Sequence, residues 1–474
     1  MGFDVIKPVI LWTDTLIFLL VALVIGFVLY AGRQEHLRSQ WLQVIKNGLG
    51  MASLVVLLAY VVIGLLDSLH YREALPSAGN SETTHYSGEV LSAWDWVVGP
   101  IRTQVEKTYS EPFAAHLYAK ETVQGADGTE QRVYARLRYG AAHLDDPATQ
   151  RKQDIARRIV SATGQTLVAG TAIVVLLGIL LARHRRSSII VELRRIGAGQ
   201  SEIAWRAGIV AGIVLLLLVL LAANLGPYYH LFGTDKVGED VFYQSLKSIR
   251  TGLVIGTLTT LMMLPFAILL GIMAGYFRGW VDDVIQYLYT TLNSIPGVLL
   301  IAAAILMLQV YMANHPDQFT TTAVRADARL LFLCIILGVT SWTGLCRLLR
   351  GETLKLREVD YIQAAWAFGV RNTKVILRHI LPNVMHIVLI TVVLDFSGLV
   401  LAEAVLSYVG VGVDPTMISW GNMINRARLE MAREPVVWWS LTAAFLFMFT
   451  LVLAANLFSD AVRDAFDPRL VKRS

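Results

Sequence analysis

Two carboxylates lie inside an apolar run in the C-terminal half of the chain, where ionised groups are unusual. Asp395 and Glu403 both belong to the run at 385–408. If that run crosses a membrane, each carboxylate is costly unless it faces a cavity or a partner. The two positions are eight residues apart, which directs their side chains within about 80° of each other on an α-helix. They could line a pathway that meets a substrate amine or cation. Alternatively, Glu403 forms a structural pair near the outer mouth.

The chain has no arrangement of residues that would let it catalyse a reaction by itself. A phosphate-binding P-loop needs Gly followed by Lys, and no Lys in this chain follows a Gly. There is no HExxH sequence, and the histidines and cysteines form no cluster with metal-ligand spacing. The sequence therefore predicts a non-enzymatic protein with no metal site and no cofactor bound by this chain.

The composition is that of a protein that crosses a membrane several times. Of 474 residues, 55% are hydrophobic and 16% are charged, a balance too apolar for a soluble domain. The net charge of +5 indicates basic cytoplasmic loops rather than nucleic-acid binding. Because a span needs roughly 20 apolar residues, nine spans are predicted, at 9–31, 49–66, 165–182, 207–224, 251–273, 285–312, 329–346, 385–408 and 437–457.

Lys and Arg concentrate in alternate connections, which predicts the orientation of these spans. The segments 32–48, 183–206 and 346–384 are basic, and with nine spans all three fall on one side, together with the C-terminal tail that contains Arg469. The positive-inside rule makes that side the cytoplasm. We therefore expect the N-terminus outside the cell and the C-terminus inside.

The opposite side receives residues 67–164, whose polar and nearly charge-balanced composition predicts a small folded domain. A helix is predicted over 88–108, and two strands over 116–123 and 130–139 flank the turn sequence GADG at 125–128. A further helix over 146–160 would lead into the third span. The domain could serve docking or gating, or it could be an addition with a packing role.

A charged stretch at 359–382 interrupts the apolar runs on the predicted cytoplasmic side. Asp360 to Phe368 can form a short helix, which Gly369 would end because a left-handed C′ position costs glycine little. A second helix could begin near Asn372, and Leu381-Pro382 would break the chain before the next span. Such a helix could enter a groove on another protein and act as a lever, or the stretch could be an ordinary amphipathic loop.

The stretch resembles the coupling loop of ABC importer permeases, whose pattern is Glu-Ala-Ala, three residues, Gly, and Leu-Pro about a dozen residues later. The residues that match this pattern in type and spacing are Ala364, Ala365, Gly369, Leu381 and Pro382. Gln363 stands where the family usually has Glu, so a salt bridge at this position is not expected. The resemblance implies that this loop contacts a partner ATPase.

Further motifs resemble the dipeptide, oligopeptide and nickel class of these permeases. They are FGTDKVGEDVF at 232–242, RHILPN at 378–383, LAEAVLSYVGVGVDP at 401–415, SWGNMI at 419–424 and RDAFDPRL at 463–470. The first contains the extracytoplasmic family residues Gly233, Thr234, Asp235, Gly238 and Asp240. The resemblance covers 205–474 and is closest to the second of the two permeases in such systems.

The resemblance implies an all-α polytopic fold with an ABC importer permease core of six spans, preceded by three extra spans and a small α+β extracytoplasmic domain. The implied divisions are two spans in 1–66, the domain at 67–164, a third span and basic linker at 165–204, and the core at 205–474. We refer to residues 1–204, which go beyond the family pattern, as the N-terminal extension.

The resemblance also implies partners and a pathway shared with them. These partners would be a second permease subunit, one or two ABC ATPase subunits that hold ATP-Mg, and a periplasmic or lipid-anchored solute-binding protein. The chain would lie among lipids of the bacterial cytoplasmic (inner) membrane and would import peptides or a similar small solute. Two alternatives stay open: an exporter or antimicrobial-peptide resistance permease on the same core, and a membrane sensor or scaffold that uses the domain at 67–164.

Several glycines and prolines in the spans predict close packing or kinks. GxxxG patterns occur at 208–212, 252–256 and 271–275, and they permit two helices to approach closely. Pro265 and Pro296 interrupt apolar runs and can kink helices. Packing is the simpler interpretation of each feature, and gating is the alternative.

Overall fold

The computed structural model describes residues 6–75, 85–124 and 130–466. Within these ranges, nine helices are long and apolar enough to cross a membrane, which is the predicted number. The predicted turn at 125–128 and the basic C-terminal residue Arg469 lie outside the described residues.

The elements alternate between long apolar helices and short connecting segments. The first part of the chain contains β1 (Ile6–Val9), α1 (Trp12–Arg33), α2 (Glu35–Lys46), α3 (Gly48–Asp67), β2 (His70–Glu73), β3 (Leu91–Ser92), α4 (Ala93–Val97), α5 (Gly99–Arg102), β4 (Glu121–Gln124), β5 (Glu130–Val133), α6 (Pro147–Arg185) and α7 (Ile189–Gly197). The second part contains α8 (Trp205–Leu225), α9 (Val241–Phe277), α10 (Trp280–Ser294), α11 (Gly297–Asn314), α12 (Thr322–Ser341), α13 (Thr343–Arg357), α14 (Asp360–Ala367), α15 (Asn372–Val375), α16 (Leu381–Tyr408), α17 (Trp420–Glu430) and α18 (Trp439–Phe466).

The N-terminal strand is part of a three-stranded antiparallel sheet with the order β1-β2-β3. Ile6 is opposite Glu73 and Val9 is opposite His70. The strand before the first spanning helix therefore pairs with the strand after α3. If α1 and α3 each cross a membrane, the chain returns to its starting side between β1 and β2, as the pairing of these strands requires.

The predicted helix over 88–108 is wrong, because the structure has two short helices there, α4 and α5. The Ser92 side chain accepts a hydrogen bond from the backbone N–H of Asp95, and the Asp95 carboxylate accepts one from the N–H of Ser92. This capping box starts α4 at Ala93. Pro100 follows Gly99 at the start of α5, and a proline has no N–H to continue a preceding helix.

The predicted strand pair is present but shorter than expected. β4 and β5 are antiparallel, with Glu121 opposite Val133, and β5 ends there rather than at 139. Pairing resumes at an isolated bridge between His116 and Arg136. Beyond β5 the side chains still alternate in exposure, since Leu137 is buried between exposed neighbours.

The predicted helix at 146–160 continues into the third span as one helix of 39 residues, α6. At 1.5 Å per residue it is about 58 Å long, which exceeds the roughly 30 Å hydrocarbon core of a membrane. The Asp146 carboxylate caps its N-terminus by accepting a hydrogen bond from the N–H of Ala148, at 3.1 Å. The division predicted between 164 and 165 falls inside this helix, and the domain boundaries stay predictions.

The predicted span at 285–312 is not a single helix. α10 ends at Ser294 and α11 begins at Gly297, with Ile295 and Pro296 between them in extended backbone. A proline restrains the residue before it to extended backbone, which explains the break at this point. Pro265, in contrast, lies within the continuous helix α9.

The chain divides into two compact units, each of which combines segments that are distant in sequence. One unit contains residues 1–9, 39–251 and 418–461, and the other contains residues 10–38, 252–417 and 462–474. Each unit therefore includes part of the N-terminal extension and part of the predicted core.

Glycines of the GxxxG patterns lie at helix contacts in both units, although nothing lies within 4 Å of a Cβ on Gly212. In the first unit, a Cβ on Gly208 would lie 2.9 Å from the Cε of Met51, because α8 packs against α3. In the second unit, a Cβ on Gly271 would lie 2.9 Å from the Cβ of Leu349, and one on Gly275 would lie 2.6 Å from that of Thr353. Larger residues would force the helices apart, which favours the packing interpretation.

Candidate functional site

The stretch at 359–382, which we call the coupling loop, begins with the helix α14 and a sharp glycine turn. Gly369 has a φ of +71°. Its N–H donates to the carbonyl of Trp366 at 3.0 Å, and the N–H of Val370 donates to that of Ala365 at 3.1 Å. These two bonds form a Schellman motif with Gly369 at C′, as the sequence predicts.

The tip of this loop is exposed and carries two large aromatic side chains. Phe368 is 86% exposed and Trp366 is 56% exposed. Gln363 and Ala364 are exposed beside them, while Ala365 is partly buried. Neither aromatic residue belongs to the family pattern on which the prediction of this loop rests. An aromatic residue directly before the C′ glycine was the available signal.

The base of the loop is anchored in a hydrophobic core. Ile362, Val375 and Ile380 are fully buried in one cluster. The hydroxyl of Tyr276 donates to the Asn372 Oδ1 at 3.0 Å. The aromatic tip therefore projects from a rigid base.

Gln363 has a local partner that accounts for the departure from the family pattern. Its Nε2 lies 3.3 Å from the carbonyl oxygen of Glu358 and 3.4 Å from the Glu358 Oε2. The Glu358 carboxylate also pairs with Arg278 at 2.5 Å. A neutral amide can donate to this carboxylate, whereas a glutamate at 363 would repel it.

The expected break at Leu381-Pro382 is wrong. The chain continues as a helix from Asn372 to Tyr408, with one π-helical turn at Ile376–Ile380. Pro382 stands at the start of α16, where the wider turn accommodates a residue without an N–H. The exposed side of this segment is an open groove, lined by Arg371, Thr373, Lys374, Leu377, Arg378 and Pro382.

The second candidate region is the motif at 232–242, which we call the motif loop and which leads into α9. Gly233 and Gly238 have φ values of +65° and +82°. A Cβ on Gly233 would overlap the carbonyl oxygen of Ser110, and one on Gly238 would overlap that of Glu106. Both positions therefore need glycine for the backbone conformation and for the space.

The polar residues of the motif loop stabilise its turn and the start of α9. Asp235 Oδ1 accepts from the N–H of Val237 at 3.0 Å and of Glu239 at 2.9 Å. Asp240 Oδ1 accepts from the first N–H groups of α9, those of Phe242 at 2.9 Å and Tyr243 at 3.1 Å.

Residues 104–111 of the N-terminal extension cover the motif loop, and we call them the covering segment. The hydroxyl of Thr234 donates to the carbonyl of Thr108 at 2.8 Å and accepts from the N–H of Ser110 at 2.7 Å. The N–H of Glu106 donates to the carbonyl of Gly238 at 2.9 Å.

A buried ionic cluster joins the covering segment to the motif loop. His230 Nδ1 lies 2.7 Å from Asp240 Oδ2, its Nε2 lies 3.3 Å from Glu106 Oε1, and all three side chains are 2% exposed or less. Burial opposes protonation of His230, but the hydrogen bonds to Asp240 and Glu106 outweigh it and raise its pKa to about 9. His230 is therefore a cation at neutral pH.

Glu106 carries a negative charge beside His230. Burial favours its neutral form, but hydrogen bonds from His230 and from three backbone N–H groups outweigh burial and lower its pKa to about 2. Those N–H groups belong to Arg138, Tyr139 and Gly140. Neither Glu106 nor His230 was predicted from the sequence, because no spacing pattern connects two residues 124 positions apart.

Comparison with known proteins assigns the family. Residues 267–472 match the family of the binding-protein-dependent transport system inner membrane component. The glutathione transport system permease protein GsiD of Pectobacterium atrosepticum is 30% identical over 61% of this chain and 99% of its own length. The chain belongs to this permease family.

Two further relatives agree with this assignment of the permease. The dipeptide transport system permease protein DppC of Bacillus subtilis is 27% identical over 55% of this chain and 81% of its own length. The oligopeptide transport system permease protein OppC of Mycobacterium bovis is 31% identical over 50% of this chain and 76% of its own length. The relatives favour the importer interpretation over the exporter alternative.

In the permease, the first turns of α9 carry a second ionic contact to the extension. Lys247 Nζ donates to Asp95 Oδ1 at 2.6 Å and lies 3.4 Å from Asp67 Oδ1. The hydroxyl of Tyr243 also donates to Asp95, at 2.7 Å. Both carboxylates are buried, so Lys247 neutralises charges that water does not reach. A lysine near the start of an apolar helix was the sequence feature that could have indicated a buried acidic partner.

The two acids of the predicted pathway both lie on α16 and have different surroundings. Eight positions separate Asp395 from Glu403, about 12 Å along the helix axis. Glu403 is buried and accepts a hydrogen bond from the hydroxyl of Ser407 at 2.8 Å. Asp395 is half-buried and has no hydrogen-bond or ion-pair partner among the described residues.

Proposed function

We propose that this permease imports peptides or a similar small solute and that ABC ATPase subunits drive it through the coupling loop. The relatives named for glutathione, dipeptide and oligopeptide transport support this solute class. The observation that carries the proposal is the exposed pair Trp366 and Phe368, held on a rigid helical turn. ATP-Mg would bind in the partner subunits.

The coupling contact would depend on the aromatic tip. Buried aromatic side chains contribute much of the free energy at protein interfaces, and Phe368 has nearly all of its surface available. Ala364 is exposed next to it and lets a partner surface approach closely. Because Ile362 and Val375 fix the base of the loop in a buried cluster, movement of the partner would pass to α13 and α16.

Asp395 and Glu403 would contribute to the translocation pathway in different degrees. Glu403 already has Ser407 as a hydrogen-bond partner, whereas Asp395 has no partner among the described residues. We therefore assign contact with a substrate amine first to Asp395. Uptake assays on Asp395→Asn and Glu403→Gln test this assignment. Unchanged uptake by Asp395→Asn in a normally assembled transporter would contradict it.

The remaining partners and the orientation follow from the same proposal. A second permease subunit would complete the pathway, and a periplasmic or lipid-anchored binding protein would deliver the solute to the outer side of the inner membrane. The N-terminus would lie outside and the C-terminus inside, which the pairing of β1 with β2 supports because it joins residues 6–9 to the start of the domain at 67–164. A reactive tag at position 369 should be accessible only from the cytoplasm.

The domain at 67–164 would have a packing role in this arrangement. Its covering segment fits over Gly233 and Gly238 and contributes Glu106 to the cluster around His230. These contacts would hold the beginning of α9 at a fixed position while other parts of the permease move.

The test is purification of the tagged full chain, co-expressed with its ATPases, in mild detergent. Gly369→Pro should lose the ATPases, because proline cannot adopt the φ of +71° that the Schellman turn requires. Gly199→Pro is the matched control, since Gly199 has a φ of +68° and equally open surroundings. The control should retain the ATPases. Retention by Gly369→Pro would contradict the proposal.

A further inference from the structure

The short helix α7 folds back against the end of the spanning helix α6. Arg186 caps α6 in the left-handed conformation, with φ 51° and ψ 39°, and reverses the chain. A Cβ on Gly178 would lie 2.9 Å from the Cδ2 of Leu193. Gly178 stands seven residues before the end of α6, about 10 Å along its axis. The helix α7 is therefore beside the last two turns of a spanning helix.

A buried carboxylate fixes which face of α7 points outward. Glu192 is 1% exposed, accepts from the hydroxyl of Ser187 at 2.9 Å and pairs with Arg195 at 3.0 Å. Arg185, at the end of α6, lies 3.6 Å from the same carboxylate. Together with buried Ile196, these contacts hold one side of α7 against the protein.

The side of α7 opposite Glu192 carries Ile190 and Arg194, and Val191 and Arg195 lie on its flanks. Ile190 is 66% exposed and Val191 is 43% exposed. Arg194 and Arg195 follow them one helical turn later and are also exposed. Arg194 therefore stands one turn after Ile190 on the outward side and has no carboxylate partner among the described residues, whereas Arg195 pairs with Glu192. This pattern is typical of a helix that lies in the membrane interface.

The surroundings of α7 are strongly basic. Residues 183–206 contain six arginines and two glutamates, a formal charge of +4 between two spanning helices. Arginine guanidinium groups bind phosphate oxygens through paired hydrogen bonds, and their apolar stems can lie along acyl chains.

We propose that α7 is an interfacial helix that binds anionic phospholipid headgroups through Arg194. Ile190 and Val191 insert into the boundary between the headgroups and the acyl chains. An arginine near an anionic surface increases binding roughly fivefold. The interaction weakens as salt screens the charges.

The test measures lipid contact at α7 itself, in the full chain reconstituted into phosphatidylcholine vesicles. Ile190→Cys is labelled with a fluorophore, and Gln200→Cys, which is exposed beyond the end of α7, is the control position. The native cysteines are buried and are replaced by alanine. Doxyl-labelled phosphatidylglycerol or doxyl-labelled phosphatidylcholine is then added as the quencher.

The label at 190 should be quenched more than the label at 200, and phosphatidylglycerol should quench it at a severalfold lower mole fraction than phosphatidylcholine. The variant R194Q should abolish this preference, while R132Q, which removes the same charge elsewhere, should keep it; both variants leave the Arg195–Glu192 pair intact. No quenching at 190 would overturn the proposal, as would equal quenching by both lipids. Loss of quenching by both lipids when ATPase subunits are added would indicate a protein contact and would also overturn it.

Discussion

The motif loop and the coupling loop both turn on glycines with positive φ, but their surroundings differ completely. A Cβ on Gly238 would overlap the backbone of the covering segment, whereas nothing lies within 4 Å of the corresponding position on Gly369. The motif loop is enclosed by polar backbone and a buried ionic cluster. The coupling loop instead exposes Trp366 and Phe368.

The difference shows how this permease uses two family motifs for separate purposes. The motif loop has its partner within the same chain, and its hydrogen bonds are satisfied by the extension. The coupling loop satisfies its own backbone through the Schellman turn and leaves its apolar side chains available to another molecule. A glycine turn within a family motif can therefore be enclosed by its own chain in one place and leave an exposed apolar surface in the other.

The largest expected effect is that of alanine at the enclosed glycine. Gly238→Ala adds a Cβ at φ +82° and against the carbonyl of Glu106, so we expect a loss of about 3–5 kcal/mol in stability or failure to accumulate. Gly369→Ala meets no neighbouring atom and should cost only about 1–2 kcal/mol from the left-handed backbone. Thermal unfolding of both variants in detergent measures the difference. Equal Tm values would refute the contrast between the loops.

The second-largest effect is expected from removal of Lys247, the cation beside Asp95 and Asp67. Lys247→Met leaves the buried Asp95 and Asp67 without their lysine, which should destabilise the chain by about 3 kcal/mol. The double variant K247M/D95N should recover part of this loss, because one uncompensated charge has gone. If the stability losses of the two single variants simply add in the double variant, Lys247 and Asp95 are not coupled.

The pH dependence of stability should report the cluster around His230. The pKa of His230 is raised from 6.5 to about 9. Protonated His230 therefore stabilises the folded chain fully below pH 6.5, and this contribution is lost as pH rises through 9. We expect the free energy of unfolding to fall by about 2 kcal/mol between pH 6.5 and 8.5.

Glu106, whose pKa is lowered to about 2, contributes stability above pH 4.5 that is lost on further acidification. His230→Gln should remove the alkaline slope, measured by unfolding across this range. An unchanged slope would rule out His230 as its source.

The smallest effect is expected at the position that departs from the family pattern. Gln363→Glu replaces a donor to Glu358 with a second carboxylate on an exposed surface, which should cost less than about 1 kcal/mol. Binding of the ATPases should persist, because the aromatic tip is unchanged. Comparison of Tm and ATPase retention with the parent chain checks both statements, and a large fall in Tm would show that Gln363 is structurally essential.

The sequence is sufficient to predict the features that depend on local patterns. Apolar length predicts the nine spans, and the position of Gly369 predicts the end of α14. The prediction of a single helix over 88–108 is wrong because two local features divide this segment. Ser92 caps the start of α4, and Gly99-Pro100 begins a separate helix, α5. The contacts of Glu106 with His230 and of Asp95 with Lys247 depend on the tertiary fold, so no local spacing reveals them.

The unbroken course of α6 has a practical consequence for measuring motion. A continuous helix of about 58 Å has no break at which bending could absorb a displacement. Any shift of the domain beside its N-terminal end must therefore appear as tilt or translation at Arg185. Fluorescent labels on the two ends, each paired with a reference on α8, would report that tilt directly during transport.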